Sequence, residues 1–324
     1  MISKGRRTTT AVREEPLVHR YEKNPILTKE QVPYTVETVH NAGVVKFNDR
    51  YIMLFRSHLR NGRSIIGIAE SADGFHFTVR REPFITPSGL EPFATYEEFG
   101  VEDPRICELE GEFLITYSAY SRFGVRVTLA RTRDFKTLER IALITQADSR
   151  NVVIFPARFN GLYARLDRPH TEIAPWSIWL SYSPDLIHWG NSRLVMRPLP
   201  YHWDEMKIGP GATPIRTTEG WLHIYHGVFK TMDGAIYRLG VALHSLEDPG
   251  QVLAVADDWI LQPEDPWEKT GYVHNVVFTC GAVPEEDGSL KIYWGGADTV
   301  VCAGTASLQA LVELCRRRPR PALW

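Results

Sequence analysis

The stretch NAGVVKFNDRYIMLFRS, residues 41–57, decides the fold class of this chain. Its first part, NAGVVKF, is mainly apolar, and the pair Asn48-Asp49 separates it from YIMLFRS, which is rich in aromatic and branched side chains. Two short runs of this kind around an Asn-Asp pair are typical of antiparallel strands joined by a tight turn. We therefore predict a β-hairpin over these residues.

The hairpin pattern recurs along the chain. Four further turns are predicted, at Glu110-Gly111, Asn160-Gly161, Glu219-Gly220 and Asp287-Gly288. Their spacing of roughly 50–70 residues matches the length of one blade of a β-propeller. Three hairpins are followed by related segments, AESADGFHF, ARTRDFKTL and SYSPDLIHW, each of which predicts a third strand, a turn and an outer strand. Five such units predict an all-β fold, a five-bladed β-propeller, which leaves few strand edges exposed.

The two ends of the chain differ from this pattern. The segment SLQALVELCRRR, residues 307–318, has helical periodicity and predicts a short C-terminal helix. We predict an N-terminal arm over residues 1–24 and one propeller catalytic domain over residues 25–324. Two interpretations of the arm stay open, a segment that ties copies into a homo-oligomer and a frayed terminus.

Composition excludes several classes of function. The formal net charge of −2 argues against a nucleic-acid-binding surface. The N-terminal sequence lacks the apolar core of a signal peptide, and no apolar run approaches the roughly 18 residues that span a bilayer. The four cysteines form no CxxC pair. We expect a cytoplasmic protein with reduced thiols, no metal site, and no membrane or nucleic-acid partner.

Polar side chains stand where the inner strands of the predicted blades begin and where their partner strands end. In a propeller these positions meet around the central channel. The first strands supply Asn41, Glu102, Asp103, Arg150, Asn151, Lys207, His274 and Asn275. The second strands supply Arg56, Tyr117, Arg165, Arg168, His226 and Asp298.

Asp103 has two equally supported interpretations. A carboxyl group beside a channel can have its pKa raised by burial, as a general acid requires. The alternative is that Asp103 caps a turn before Pro104 and pairs with Arg105. Glu102 is the adjacent residue of the same strand, so its side chain should face away from that of Asp103.

The cations Arg150, Arg168, Lys207 and His226 occupy equivalent positions in different repeats. Clustered positive charges are unfavourable unless they hold an anion, and Arg and Lys are the usual ligands of phosphate. The alternative is that each cation pairs with a nearby acid. Amide, carboxyl and aromatic groups around them are suited to a sugar, although each aromatic residue taken alone is more often part of the core. This second set contains Asn41, Tyr117, Tyr237, His274, Asn275 and Asp298, with Trp176 and Trp203 on loops.

The chain resembles family 130 of the glycoside hydrolases, the β-mannoside phosphorylases and related mannosidases, over residues 20–305. The resemblance rests on short motifs in the same order. They are Asn-Ala-Gly at 41–43, Glu-Asp-Pro-Arg at 102–105, Arg-Asn-Val-Val at 150–153, Asp-Arg-Pro at 167–169, Lys-Ile-Gly-Pro-Gly at 207–211, Ile-Tyr-His-Gly at 224–227, Tyr-Arg-Leu-Gly at 237–240, Asn-Val-Val-Phe at 275–278 and Gly-Ala-Asp-Thr at 296–299.

The resemblance implies a five-bladed propeller and an inverting phosphorolysis that gives α-mannose 1-phosphate, with Asp103 as the essential acid and inorganic phosphate as co-substrate. It also implies a phosphate site without metal or organic cofactor. The positions that hold phosphate in the family are matched by Arg150, Arg168, Lys207, His226 and Tyr237.

Our leading hypothesis is therefore an inverting phosphorylase that cleaves a β-mannoside, such as a mannobiose, a mannooligosaccharide or a mannoside of glucose or N-acetylglucosamine. The residues expected to position the sugar are Asn41, Arg56, Asn151, His170, His274 and Asp298. Some 1,4-specific members of the family have Tyr where this chain has Glu102, which leaves the linkage and the acceptor sugar open. Two alternatives remain, an inverting β-mannosidase with Glu102 or another acid as base, and a non-catalytic propeller that binds glycans.

Overall fold

The structure is a computed structural model that describes residues 16–323. These residues form 22 β-strands, three short α-helices and one 3-10 turn, Lys29–Gln31, so the predicted all-β class is confirmed. Strands and helices are numbered in chain order. The helices are α1 (Phe93–Tyr96), α2 (Pro266–Lys269) and α3 (Leu308–Arg317).

The strands fall into five consecutive antiparallel groups, called units 1–5 below. Unit 1 contains β2 (His40–Phe47), β3 (Arg50–His58), β4 (Ser64–Ser71) and β5 (Thr78–Val79). Unit 2 contains β6 (Gly100–Leu109), β7 (Glu112–Ser121), β8 (Gly124–Thr132) and β9 (Glu139–Leu143). Unit 3 contains β10 (Ser149–Phe159), β11 (Leu162–Pro169), β12 (Ile178–Ser183) and β13 (Gly190–Met196).

Unit 4 contains β14 (Lys207–Pro210), β15 (Ile215–Arg216), β16 (Trp221–Thr231), β17 (Gly234–His244) and β18 (Val252–Ala256), and the C-terminal β22 (Pro319–Arg320) pairs with β18. Unit 5 contains β19 (Val277–Pro284), β20 (Ser289–Gly296) and β21 (Val300–Ser307), and the N-terminal β1 (His19–Arg20) pairs with β21. The strands of units 1 and 2 are assigned to one sheet, because a single parallel bridge between Ser64 and Gly100 connects β4 with β6.

The predicted hairpin turns connect the strands as expected. At Asn48-Asp49, both residues have positive φ, 49° and 57°, in the loop between β2 and β3. Positive φ at both central residues is the signature of the tight turn whose twist matches a β-hairpin. The turns at Glu110-Gly111 and Asn160-Gly161 have the same conformation.

Each unit packs against the next, and the last packs against the first. The first strands of units 1, 2, 3 and 4 contact one another in sequence, and β19 of unit 5 contacts both β17 and β2. Five apolar clusters fill the boundaries 1/2, 2/3, 3/4, 4/5 and 5/1. Each boundary contains at least one large buried side chain. Examples are Ile115 at 1/2, Ile154 at 2/3, Phe155 at 3/4, Ile292 at 4/5 and Phe55 at 5/1. Burying one such side chain stabilises the fold by about 1.5–3 kcal/mol, so the stability is distributed around all five boundaries.

The chain ends lie against units 4 and 5. The predicted C-terminal helix is confirmed as α3, in which Leu311, Val312 and Cys315 are buried. Of the predicted N-terminal arm, residues 1–15 lie outside the described residues. Within the remainder, Val18 is buried and β1 extends the sheet of unit 5, so residues 16–20 belong to the body of the protein. None of the described helices is long and apolar enough to cross a membrane.

Candidate functional site

The inner strands of units 1, 2 and 3 carry the same irregularity near their start. In β2, His40 pairs with Arg56 and Gly43 with Leu54, so three steps on β2 oppose two on β3. β6 and β10 show the same register shift against their partners. Each shift is a β-bulge, which re-aims a side chain away from the usual alternation.

The residue in each bulge adopts a left-handed backbone conformation. The φ angles of Asn41, Asp103 and Asn151 are 50°, 54° and 60°, and Asn275, just before β19, has 57°. Asn and Asp are the side-chain-bearing residues that tolerate this region best. The left-handed conformation therefore explains why Asn or Asp stands at this position in four repeats. The signal was visible in the sequence as Asn or Asp before an inner strand.

The predicted site residues converge on one cavity of about 320 Å³. The predicted residues that line it are Asn41, Arg56, Asp103, Arg150, Asn151, Arg168, His170, Lys207, His226, Tyr237 and Asp298. His274 is exposed and does not line it. Trp176, considered for the sugar from its loop position, lines the cavity, and so do Val273, Val276 and Phe278, which sequence reasoning missed. Apolar residues of this kind resemble core residues in a sequence, so no signal distinguished them.

Two aromatic residues considered for sugar binding lie elsewhere. Tyr117 is buried and donates a hydrogen bond to Glu97 at 2.7 Å. Trp203 packs on Tyr225 with ring centroids 5.8 Å apart. Both are parts of apolar clusters, which corrects the expectation that they contact a sugar.

The carboxyl group of Asp103 is held on one oxygen only. Its Oδ1 accepts hydrogen bonds from Asn41 Nδ2 at 2.9 Å and from Arg56 Nη1 at 3.2 Å. Its Oδ2 has no hydrogen-bond partner among residues 16–323. Arg105 donates instead to backbone oxygens, those of Gly211 at 2.8 Å and of Asp103 itself at 3.0 Å. The side-chain pair with Arg105 is therefore not formed, and one carboxyl oxygen is left for a ligand.

The charges around Asp103 determine its protonation. Burial alone would raise the pKa of Asp103, but Arg56 and Arg105 and the hydrogen bond from Asn41 outweigh burial and lower it. Asp298, on the same cavity, behaves in the opposite way. Burial raises the pKa of Asp298 to about 6, because the attraction of Arg56 is countered by the negative charges of Asp103 and Glu102.

Glu102 is held between two arginines. Its carboxylate accepts hydrogen bonds from Arg56 Nη2 at 2.8 Å and from Arg150 Nη1 at 3.2 Å. Glu102 is buried, and it does not line the cavity. Glu102, from unit 2, therefore forms hydrogen bonds with arginines of units 1 and 3, and these bonds orient both guanidinium groups.

Two cations of the cavity have no acidic partner. Neither Arg168 nor Lys207 forms a salt bridge with any residue in the described range 16–323. The Lys207 ammonium lies 5.0 Å from the ring centre of Trp176 and 5.3 Å from that of Tyr237. Burial, followed by the nearby Arg168 and Arg150, lowers the pKa of Lys207 to about 8. The alternative in which each cation pairs with a nearby acid is therefore wrong for these two.

The histidines beside Arg168 act as neutral acceptors. Arg168 donates to His226 Nε2 at 3.1 Å and to His170 Nε2 at 3.2 Å. Burial and the adjacent Arg168 lower the pKa of His170 to about 4 and that of His226 well below its usual value. The two rings therefore fix the guanidinium plane. The Nε atoms of Arg150 and Arg168 are buried without a hydrogen-bond partner in residues 16–323.

The cavity thus combines an electropositive wall from units 3 and 4 with carboxyl groups from units 2 and 5. No group of three or more His, Cys, Asp and Glu side chains suited to a metal ion occurs within residues 16–323. Charge-assisted hydrogen bonds from two arginines and a lysine are suited to phosphate.

Comparison with known proteins agrees with this chemistry. The family model described as β-1,4-mannooligosaccharide phosphorylase, glycoside hydrolase family 130, matches residues 6–317. A β-1,2-mannobiose phosphorylase of Listeria innocua is 40% identical over 73% of this chain, and the match spans 64% of that relative, slightly under two thirds of its length. A β-1,4-mannooligosaccharide phosphorylase of Ruminococcus albus is 30% identical over 92% of this chain and 90% of the relative.

A solved structure of β-1,2-mannobiose phosphorylase from Listeria innocua, in complex with β-1,2-mannobiose, superimposes with a TM-score of 0.85. It is 31% identical, and the match covers 92% of this chain and 99% of that one. The resemblance drawn from the sequence motifs is therefore confirmed. This chain belongs to glycoside hydrolase family 130.

Proposed function

We propose that the chain is an inverting β-mannoside phosphorylase that uses inorganic phosphate and releases α-mannose 1-phosphate. The observation that carries this proposal is that two cations of the cavity that also holds Asp103, the buried Arg168 and the half-buried Lys207, have no acidic partner among residues 16–323. The phosphorylases among its relatives support the same activity.

Phosphate is held by the electropositive wall. The guanidinium groups of Arg150 and Arg168 supply paired donors, and Lys207 adds a point charge. His226 orients Arg168, and Tyr237 lines the same cavity. The sugar occupies the part of the cavity lined by Asn41, Arg56, Asn151, His170 and Asp298.

The reaction is a single displacement. An oxygen of phosphate forms a bond with the anomeric carbon while the bond from that carbon to the leaving oxygen breaks. The proton of Asp103 moves to the leaving oxygen, which departs as a hydroxyl group, and Asp103 becomes a carboxylate. Attack from the face opposite the leaving group inverts the configuration and gives the α-phosphate.

The protonation of Asp103 follows from phosphate binding. Without phosphate, the surrounding arginines lower the pKa of Asp103, so the group is ionised. A phosphate dianion brings two negative charges into the same cavity and offsets those cations, which raises the pKa of Asp103. Phosphate binding therefore favours the protonated form of Asp103.

Hydrolysis is disfavoured by the position of Glu102. An inverting hydrolase needs a carboxylate base that activates water on the face opposite the acid. Glu102 is buried between Arg56 and Arg150 and has no access to the cavity, so it is unsuited to that task. Phosphate is already an anionic nucleophile and requires no base.

We also propose that the five units are the blades of a five-bladed propeller around this cavity. The support is the circular order of packing, in which unit 5 contacts units 4 and 1 through both strands and apolar clusters. Side chains from all five units line the cavity, with Phe278 of β19 and Asp298, between β20 and β21, from unit 5, as expected for a central site.

The experiment is an assay of β-1,2- and β-1,4-linked mannobiose with and without phosphate. We expect α-mannose 1-phosphate in the presence of phosphate and little free mannose without it. Release of free mannose at the same rate in phosphate-free buffer would contradict the proposal and favour the mannosidase. Binding without turnover under every condition would favour the glycan-binding alternative.

A further inference from the structure

The cavity has two chemically different sides. The cations Arg168 and Lys207 come from units 3 and 4, whereas Asp103 is held by Asn41 and Arg56 of unit 1. In an inverting displacement, the nucleophile and the leaving group lie on opposite faces of the sugar ring, and the acid lies beside the leaving oxygen. The leaving sugar therefore lies on the side of Asp103 and unit 1.

One exposed aromatic ring stands on that side. The ring of Tyr272 contacts that of His58, with centroids 4.9 Å apart and planes tilted by 52°. His58 Nε2 lies 2.9 Å from Arg56 Nη2, and Arg56 Nη1 donates to Asp103 at 3.2 Å. Burial and Arg56 lower the pKa of His58 to about 4, so this ring is a neutral acceptor. Tyr272 is thus connected to the acid through two side chains.

The backbone of Tyr272 is fixed to the turn that carries Asp298. Tyr272 N donates to Thr299 Oγ1 at 2.9 Å, and Val273 N donates to Ala297 O at 3.1 Å. Val273 itself lines the cavity. Tyr272 does not itself line the cavity, but it lies next to a residue that does, on an anchored segment, so the position of its backbone is preorganised.

The ring presents a free face. The exposed fraction of Tyr272 is 64%, and its hydroxyl has no hydrogen-bond partner within the described part of the chain. An exposed aromatic face beside a polar cavity is suited to the C–H face of a pyranose ring. This arrangement has no evident role in the core, since Tyr272 is in none of the apolar clusters of residues 16–323.

We propose that Tyr272 is a specificity-determining residue that binds the leaving sugar of the β-mannoside by stacking. In the reverse direction the same ring binds the acceptor sugar. The inference rests on the proposed phosphorylase activity and adds to it the surface that contacts the sugar beyond the cleaved bond.

The test is kinetic analysis in the synthetic direction, with α-mannose 1-phosphate as donor and mannose, glucose or N-acetylglucosamine as acceptor. Tyr272→Ala removes the ring, so the KM for the preferred acceptor should rise roughly tenfold. The KM for α-mannose 1-phosphate should stay within about twofold, because that product occupies the opposite side of the cavity. Tyr272→Phe keeps the ring and should restore the acceptor KM.

The matched control is Tyr201→Ala, a tyrosine that is 99% exposed and does not line the cavity, for which neither KM should change. An unchanged acceptor KM in Tyr272→Ala would overturn the inference, and so would an equal rise in both KM values. These results are distinct from a failure of the proposed function, in which the wild-type protein would form no disaccharide from α-mannose 1-phosphate.

Discussion

Asp103 has a left-handed backbone conformation, and it is the proposed proton donor. A substitution can keep the conformation and remove the proton. Asp103→Asn fits the left-handed bulge and still accepts hydrogen bonds from Asn41 and Arg56, but it has no proton to transfer. We expect kcat for phosphorolysis of a mannobiose to fall by about 10²–10⁴, the usual contribution of a general acid. The thermal unfolding temperature should stay close to that of the wild-type protein.

A substrate with an activated leaving group provides the control. Dinitrophenyl β-mannoside releases a phenolate that needs no proton, so Asp103→Asn should lose much less activity with this substrate than with mannobiose. An equal loss with both substrates would mean that Asp103 only positions the sugar.

The lowered pKa of Lys207 predicts that kcat/KM for phosphate depends on pH. Burial and the nearby arginines lower the pKa of Lys207 to about 8, so it is charged below that pH and becomes neutral above it. The neutral amine binds phosphate less well. Therefore kcat/KM for phosphate, which reports the free enzyme, should fall by about tenfold for each pH unit above roughly 8.

The variant Lys207→Arg identifies the group responsible. A guanidinium keeps its charge over this range, so the decline should move to higher pH. If Lys207→Arg shows the same decline as the wild-type protein, the ionisation belongs to another residue.

At the scale of elements, the irregular strands decide where the side chains point. The hairpins were predictable because a tight turn with positive φ requires particular residues at adjacent positions. The bulges were not predictable in the same way, since a register shift depends on how a strand pairs with its partner. His274 was misplaced for a different reason, because β19 begins only at Val277 and His274 lies in an exposed segment before that strand. Most site residues were still predictable, as charged residues at the ends of inner strands have few other roles.

β14 brings its backbone close to the site, which can be tested at Gly209. A Cβ atom at this position would lie 2.5 Å from His226 Cε1 and 2.9 Å from Asn151 Nδ2. Gly209→Ala should therefore displace His226, disturb the orientation of Arg168 and raise the KM for phosphate by roughly tenfold or more. Gly190→Ala in β13 is the matched control, because open space surrounds that glycine. Equal kinetics of the two variants would show that β14 can shift without affecting the site.

At the scale of the whole molecule, the succession of hairpin units was predictable from the repeat, but the contacts that the ends of the chain make with units 4 and 5 were not. The N-terminal strand β1 pairs with β21 of unit 5, and Arg20 on β1 donates to the buried carboxylate of Glu268 at 2.9 Å. Glu268 also accepts a hydrogen bond from Trp294, a residue of the apolar cluster between units 4 and 5. A pattern of strands and turns does not reveal such a pair, since its members are distant in the sequence.

The salt bridge between Arg20 and Glu268 leads to a prediction about how the protein unfolds. Arg20→Ala leaves Glu268, which is fully buried, without its cation, and breaking a pair of this kind costs about 3 kcal/mol. Because each unit packs against two others, the loss should lower the midpoint of a single unfolding transition by about 5 °C rather than release one end of the chain. Arg122→Ala is the control, because Arg122 pairs with Glu98 at the protein surface, where solvent screens the attraction, so the midpoint should hardly change. Calorimetry of both variants decides the matter. Equal midpoints would mean that the buried pair contributes no more to stability than the surface pair, and a separate early transition in Arg20→Ala would mean that the units do not unfold together.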